Sequence, residues 1–300
     1  MAGRRDVLAR CRGWLVVDPQ RSTRRETFLD ALHAMGDLKL TFETRSHVMT
    51  KRMGAVAAVA VLGACATATF TPKRSGLVEF GGSQKTIFDT GRAAEVVPLS
   101  AFAGTAGVQG LGAVSGLDGE ITVLQGKPYV TKVRGSGFSM DHGSSHFATF
   151  AVWARVGAWS EQPVPDEVKG YVDLQTFVRS RAQAAGIDVD KPFPFQLAGA
   201  PAEVKWHINV DLTEGHPVTR ELFAKSKANY VLRNEPMDIV GFYSENHPGV
   251  FISAYAPAIP AGGSARNAMH IHMVSKDGKS AGHIDNLTLA PGMVLRLPRR

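Results

Sequence analysis

The chain has 300 residues, of which 44% are hydrophobic, and a formal net charge of +7 at neutral pH. A chain of this length can bury a large core in one or two domains. Residues 1–52 carry 11 Lys and Arg against 6 Asp and Glu, so most of the excess positive charge lies there. The remaining charge is spread along the chain without a basic stripe interleaved with aromatic residues, which argues against nucleic-acid binding.

The first segment, residues 1–48, is rich in arginine and shows no clear periodicity. We expect a non-native or disordered extension there, with translation starting at Met49 or Met53. Residues 49–68 resemble a secretory signal, because a short basic patch precedes a run of small apolar residues.

The residues that end at Cys65 resemble a lipobox, so a lipid anchor on Cys65 is expected. Ordinary signal cleavage just after this position is one alternative, and a buried helix of the folded domain is another. The protein is therefore expected to be exported, either periplasmic or a membrane-anchored lipoprotein, with a cytoplasmic location as the alternative. With Cys11 the only other cysteine, no disulfide framework is expected in the folded domain.

One globular domain is expected over residues 76–300. A helix is predicted over 166–185, with Asp166 as a cap or first-turn acid. Pro- and Gly-rich residues 248–263 predict a connection. Many strands with one clear helix indicate an α+β fold with antiparallel or mixed sheets. Apolar alternation or a short apolar run predicts strands over 120–124, 128–132, 147–154, 204–212, 239–243 and 268–274.

The segment 104–119 is rich in glycine. It is not a phosphate-binding loop, because no Gly-Lys-Ser/Thr follows and the spacing fits no dinucleotide fingerprint. Glu120 comes directly after this segment and opens a predicted strand. A solvated residue at the end of a turn is the plain interpretation of Glu120 from its position alone.

The densest cluster of chemistry-bearing residues is His270, His272 and His283. His270 and His272 lie two apart on a predicted strand and so share one face of it. Asp277-Gly278 favours a two-residue type I′ turn, which places His272 directly opposite His283. A bulge near Gly282 would shift that register by one. Three neutral imidazoles on one face favour Zn²⁺ and leave a position open, as in catalytic zinc sites. Ordinary surface or core histidines are the alternative.

The run from Gly110 to Ile121, with its Leu-Asp-Gly-Glu, resembles a signature of the acetolactate decarboxylases. The histidine spacing also matches that family's metal motif, His-x-His followed by a third histidine in a Gly-His pair. Between these motifs an apolar strand, a helix after Pro165 and the stretch 217–220 keep the family's order. The resemblance spans roughly residues 85–290.

The resemblance implies an acetolactate-decarboxylase-like fold and a zinc-dependent carboxy-lyase. The family converts 2-acetolactate, a small 2-hydroxy-3-keto acid, to acetoin, and its ion stabilises the enediolate that loss of CO2 leaves. His270, His272 and His283 would hold the Zn²⁺, and Glu120 would act as acid and base beside it. Arg220 would bind the substrate carboxylate. We also expect a homodimer.

Several features leave alternatives open. Arg266, just before the metal strand, is a rival to Arg220. The family has a glutamate in its tail, whereas Asp285 is the only acid after His283 here. Tyr243 stands where the family tends to have an arginine. A non-catalytic, exported metal- or ligand-binding protein of the same fold is therefore the alternative function.

Two further groups of residues complete the sequence-based predictions. A cupin-type oxygenase or isomerase is a third possibility, because His-x-His also opens the cupin motif. It is disfavoured, because Lys276 stands where that motif requires a glutamate. The remaining histidines carry no assigned role: His142 and His146 could approach a pocket, and the others are expected on the surface or in the core, namely His207, His216 and His247.

Overall fold

Two eight-stranded antiparallel sheets make up most of the described chain, residues 70–246 and 266–299 of a computed structural model. The first sheet contains β1 (Lys73–Ser75), β2 (Val78–Gly82), β3 (Val97–Pro98), β4 (Val108–Val114), β5 (Glu120–Leu124), β6 (Lys127–Arg134), β7 (Gly137–Asp141) and β8 (Phe147–Arg155). The second contains β9 (Trp159–Pro163), β10 (Phe193–Gly199), β11 (Glu203–Asn209), β12 (Lys227–Leu232), β13 (Met237–Tyr243), β14 (Met269–Ser275), β15 (Ala281–Thr288) and β16 (Val294–Pro298).

Three α-helices occur in the described residues, α1 (Gln84–Thr90), α2 (Tyr171–Ala184) and α3 (Arg220–Lys225). The strand order is β1-β2-β8-β4-β5-β6-β7 in the first sheet, where β3 also pairs with β8, and β12-β11-β15-β14-β13-β10-β16-β9 in the second. The predicted α+β class with antiparallel sheets and few helices is therefore confirmed.

Apolar layers on both sides of the second sheet explain the alternation along its central strands. Val240 and Phe242 of β13 pack with Phe150 of β8 in a core between the two sheets. Ile239 of the same strand points the other way, into a core that α2 covers with residues such as Leu174. Side chains on the first of these faces are therefore enclosed between the sheets.

The predicted helix begins later than expected. It was predicted from Asp166, whereas α2 starts at Tyr171 with Gly170 as its N-cap. The backbone of Lys169 accepts a hydrogen bond from Leu289, and Gly170 forms a bridge with Thr288, so these residues extend the second sheet. The first-turn acid is Asp173, not Asp166. Tertiary pairing decides where the helix begins.

The glycine-rich segment contains the central strand β4, which the sequence pattern did not predict. A Cβ on Gly112 would lie 2.3 Å from the backbone oxygen of Phe150, and one on Gly110 would lie 2.9 Å from the ring of Phe102. These glycines allow a neighbouring strand and an aromatic ring to approach β4 closely. The segment therefore serves close packing rather than phosphate binding.

Several predictions concern residues outside the described ranges. The extension 1–48, the signal 49–68 with Cys65, the connection 248–263 and His247 all lie there. The lipid anchor, the homodimer and the exported location stay predictions. Among the described residues, none of the helices is long and apolar enough to cross a membrane.

Candidate metal centre

The hairpin of β14 and β15 brings the three predicted histidines onto one face. His272 is the cross-strand partner of His283, as the sequence predicts, and the neighbouring pairs keep the same register without a bulge. His270 and His272 are cross-strand partners of Phe242 and Val240, whose side chains lie between the sheets. The three imidazoles therefore point into the space between the two sheets.

The turn of this hairpin differs from the predicted type I′ turn. Within Asp277-Gly278 only Gly278 has a positive φ, 71°, whereas a type I′ turn needs positive φ at both residues. Ser275 donates its backbone N–H to Ser280 at 2.9 Å and closes a four-residue loop. The predicted turn type was wrong, but the register is unchanged because the loop has the same centre.

Gly282, directly before His283, has a packing reason to be glycine. A Cβ at this position would lie 2.7 Å from the backbone oxygen of His207 and 2.8 Å from the ring of Trp206. Both residues belong to β11, the next strand of the sheet. The glycine thus allows β11 to lie against β15 and brings His207 beside His283.

The side-chain nitrogens of the three histidines are close enough to share one ion. One ligand atom from each lies within 4.8 Å of the others. His270 Nε2 and His283 Nδ1 are 2.9 Å apart. His272 is fully buried and His270 is 5% exposed.

The chemistry of these side chains fits a metal ion. Thr122 Oγ1 lies 3.0 Å from His272 Nδ1, a hydrogen bond that fixes the ring and leaves Nε2 for another partner. His272 Nε2 is buried and makes no hydrogen bond within the described residues. A buried polar atom of this kind requires a partner. An ion bound by the three imidazoles would supply it.

Glu120, from the opposite sheet, lies beside the three imidazoles. It is 3% exposed, and its Oε2 lies 3.6 Å from His272 Nε2. Burial raises the pKa of its carboxyl well above the usual value and Asp285 adds to this, against the charge of Lys227 and a hydrogen bond from the backbone of Asn209. The interpretation of Glu120 as a solvated turn residue is wrong, because its carboxyl is buried beside the imidazoles.

A second polar group beside the centre was missed in the sequence. His207 is 4% exposed and its Nδ1 lies 2.6 Å from Asp285 Oδ2. Lys227 Nζ lies 3.0 Å from the other carboxylate oxygen of Asp285. The sequence held one signal for His207: it stands on the face of its predicted strand opposite to Trp206 and Ile208. Only the pairing of β11 with β15 places it next to His283.

His207, His283 and Asp285 form a second set of side chains that could hold an ion. The Lys227 ammonium beside Asp285 opposes a further cation at that point. Burial acts to raise the pKa of Asp285, but the hydrogen bond from His207 and the charge of Lys227 together outweigh it and lower the pKa. The histidine triplet is therefore the better metal site.

Other predicted residues lie on the surface. Arg220 is exposed at the start of α3, and its guanidinium lies 5.9 Å from the ring centroid of Phe88, so its assignment to the substrate carboxylate stays a prediction. Arg266 is exposed as well. His146 pairs with exposed Asp141 at 2.6 Å, His142 lies 2.8 Å from the backbone oxygen of Pro128, and His216 is exposed.

The pKa values of the clustered histidines are lowered by burial. For His272 and His283 the pKa falls well below the usual value of 6.5, and the charges of neighbouring imidazoles lower it further. Burial also lowers the pKa of His207, although Asp285 acts in the opposite direction. These rings are therefore neutral near pH 7, which is the form that binds a metal.

Metal-stripped protein should lose stability as the pH falls from about 6.5 to about 5. As the pH falls, these histidines take up protons in the unfolded chain, whereas the buried rings of the folded chain stay neutral. Stability rises with pH wherever the unfolded state binds more protons, so it falls as the pH is lowered. The raised pKa of Glu120 stabilises the folded state as the pH falls through the same window. This single carboxyl opposes three histidines, so the net effect is a loss of stability. Urea unfolding across this window measures the slope.

The variant Glu120→Gln serves as the internal control for this slope, because it removes the opposing contribution and should make the pH dependence steeper. A free energy of unfolding that stays level or rises towards pH 5 would contradict the account.

The fold and the site define a class: α+β proteins of two antiparallel sheets that enclose three imidazoles suited to a metal ion. The family model for alpha-acetolactate decarboxylase matches residues 90–295. The chain therefore belongs to the alpha-acetolactate decarboxylase family, as its motifs predicted.

Solved structures of low sequence identity share the fold. The alpha-acetolactate decarboxylase of Bacillus subtilis strain 168 is 17% identical, with a TM-score of 0.55 over 73% of this chain and 84% of that one. A Staphylococcus aureus protein of unknown function, similar to alpha-acetolactate decarboxylase, is 14% identical, with a TM-score of 0.56 over 74% and 84% of the two chains. No curated protein sequence matches the chain significantly.

Proposed function

We propose that this protein decarboxylates 2-acetolactate to acetoin with one Zn²⁺ held by His270, His272 and His283. The observation that carries the proposal is the buried carboxyl of Glu120, 3.6 Å from a nitrogen of this imidazole set. Nitrogen ligands and an open fourth position suit a catalytic zinc ion. When bound, that ion would stabilise the negative charge that develops on the substrate oxygens as CO2 leaves.

Glu120 supplies the proton that the reaction consumes. Decarboxylation of the acetolactate anion replaces a C–C bond with a C–H bond, so each turnover takes up one proton. Burial raises the pKa of this carboxyl and so favours its protonated form, from which it can donate to the carbanion carbon from one fixed side. Delivery from one side would favour one enantiomer of acetoin.

The apolar layer between the sheets encloses the site on another side. The ring of Phe150 lies 6.1 Å from that of His270, and Val240 and Phe242 belong to the same layer. These side chains exclude water and suit the two methyl groups of acetolactate. An enclosed site of low polarity also strengthens the electrostatic interactions within it.

The test is acetoin formation from racemic acetolactate by purified, zinc-loaded protein, with and without a chelator. We expect acetoin that disappears on chelation and returns when zinc is added back. Stoichiometric zinc binding without turnover would instead support the non-catalytic binding protein of the same fold. Acetoin formation that persists after the zinc has been removed would contradict the zinc-dependent reaction, and a protein that neither binds zinc nor forms acetoin would contradict both interpretations.

A further inference from the structure

We propose that Tyr171 and Gln175 of α2 are positioning residues, which hold the start of β14 by hydrogen bonds and so fix His270 relative to His283. The inference rests on the proposed zinc centre and not on the reaction. It gives a role to two side chains of a helix that covers the opposite face of the second sheet and that carries none of the motifs.

The hairpin of β14 and β15 is paired only near its turn. Three cross-strand pairs join the two strands, and the pair of His272 with His283 is the one farthest from the turn. In the described residues no pair joins the strands on the other side of His272, where His270 lies. The pairing that places His272 opposite His283 therefore does not extend to His270.

Side chains take over the hydrogen bonding at the start of β14. The Tyr171 hydroxyl lies 2.9 Å from the backbone oxygen of Met269, the residue before His270, and 3.0 Å from Asn267 Oδ1. A hydroxyl has one hydrogen, which these two oxygens share. Asn267 Oδ1 also accepts the backbone N–H of Met269 at 2.9 Å. Tyr171 and Asn267 thus bond both backbone groups of Met269.

Gln175, one turn further along α2, bonds the residues just before this point. Its Oε1 accepts the backbone N–H of Ala268 at 2.7 Å, and its Nε2 donates to the backbone oxygen of Arg266 at 3.0 Å. The planar amide offers a donor and an acceptor side by side, as the backbone of a neighbouring strand would. Its two hydrogen bonds fix the direction in which the chain enters β14.

The same end of α2 is bonded to the end of β15. Leu289 donates its backbone N–H to the oxygen of Lys169 at 2.8 Å, and Gly170 forms a bridge with Thr288. The start of the helix therefore bonds β15 through its backbone and β14 through its side chains. This places α2 across the point where the two strands diverge.

The separation of two of the three proposed ligands depends on this divergence. His270 Nε2 and His283 Nδ1 are 2.9 Å apart. β13 holds one edge of β14, with Phe242 as the cross-strand partner of His270. The hydrogen bonds from α2 hold the chain that leads into His270. Groups that orient a ligand set the affinity of a metal site, so loosening this contact should weaken zinc binding.

Amide hydrogen exchange of the metal-free protein tests the contact itself. In the double variant Tyr171→Phe/Gln175→Met, exchange at His270 should become about 5-fold to 10-fold faster, the factor expected for the loss of a hydrogen bond. Exchange at Met273, which β15 pairs, should stay close to the wild-type rate. A general loss of stability would instead accelerate both amides alike.

Zinc affinity tests the consequence for the centre. Competition with a chromogenic chelator should show that the double variant binds zinc about 10-fold to 100-fold more weakly than the wild type, the range for groups that support a metal ligand. The visible absorption spectrum of the Co²⁺-substituted protein should change as well, because it depends on the geometry of the ligands.

Two variants serve as matched controls. Tyr243→Phe removes the hydroxyl of another buried tyrosine, the cross-strand partner of Met269, which donates to Glu245 and not to β14. Gln183→Met removes an exposed amide from the same helix. Both should leave the exchange at His270 and the zinc affinity close to wild type.

Equal acceleration along the whole of β14, or a double variant that binds zinc as tightly as the wild type, would overturn the inference. If the double variant does not fold, each single variant is compared in the same way. Failure of the proposed function is a separate outcome. A wild-type protein that makes no acetoin contradicts the reaction, and the exchange at His270 still decides whether α2 fixes it.

Discussion

Replacing Glu120 by glutamine should reduce acetoin formation by at least about 100-fold while zinc remains bound. The amide matches the carboxyl in size and keeps the packing of β5 against the second sheet, but it cannot donate an acidic proton. General acid catalysis contributes about 10²-fold to 10⁴-fold, so kcat should fall within that range. Steady-state acetoin assays and zinc analysis of the same preparation measure the two quantities.

Glu79→Gln is the matched control, because Glu79 lies in the same sheet and accepts a hydrogen bond from Trp153 Nε1 at 2.8 Å, outside the centre. It should leave turnover near wild type. Activity in Glu120→Gln within a few-fold of wild type would show that the proton comes from another group. Loss of zinc together with activity would show instead that Glu120 holds the ion.

Replacing His272 by alanine should remove both the metal and the activity. Its ring is fully buried, Thr122 orients it, and its Nε2 has no other hydrogen-bond partner in the described residues. Loss of a group that only supports a ligand already weakens metal binding about 10-fold to 100-fold, and loss of the ligand itself should exceed that. Competition with a chromogenic chelator gives the affinity, and acetoin assays give the activity.

His146→Ala is the control for this change, because it removes a surface imidazole and should leave zinc binding intact. A variant His272→Ala that binds zinc as tightly as wild type would show that the ion lies elsewhere. The neighbouring set of His207, His283 and Asp285 would then become the candidate site.

The hairpin of the metal centre shows which features can be predicted from residues close together in the sequence. The spacing of His270 and His272 puts them on one face because strand side chains alternate, and this holds in any sheet. The position of Asp277-Gly278 sets the centre of the loop, so His272 meets His283 although the turn type differs. Such features depend on residues close in the chain, where pattern and turn chemistry are sufficient.

The start of α2 and the strand β4 show where local sequence fails. Residues ahead of Tyr171 could continue a helix, but they pair with the end of β15. The glycines of β4 do not predict a strand, because glycine has a low preference for strands. They are needed there because Phe102 and Phe150 approach β4 too closely for a larger side chain. Both outcomes depend on partners distant in the chain.

The sequence by itself determined the family, the antiparallel α+β class and the histidine triplet with its register, and the family resemblance singled out Glu120 as the expected acid. Each rests on a motif or on the alternation of a strand. Only the tertiary structure decided that His207, Asp285 and Lys227 lie beside the centre and that Arg220 is exposed on a helix. The reason is physical: these residues meet, or stay apart, through the pairing of β11 with β15 and the packing of one sheet on the other, and no local pattern encodes such contacts.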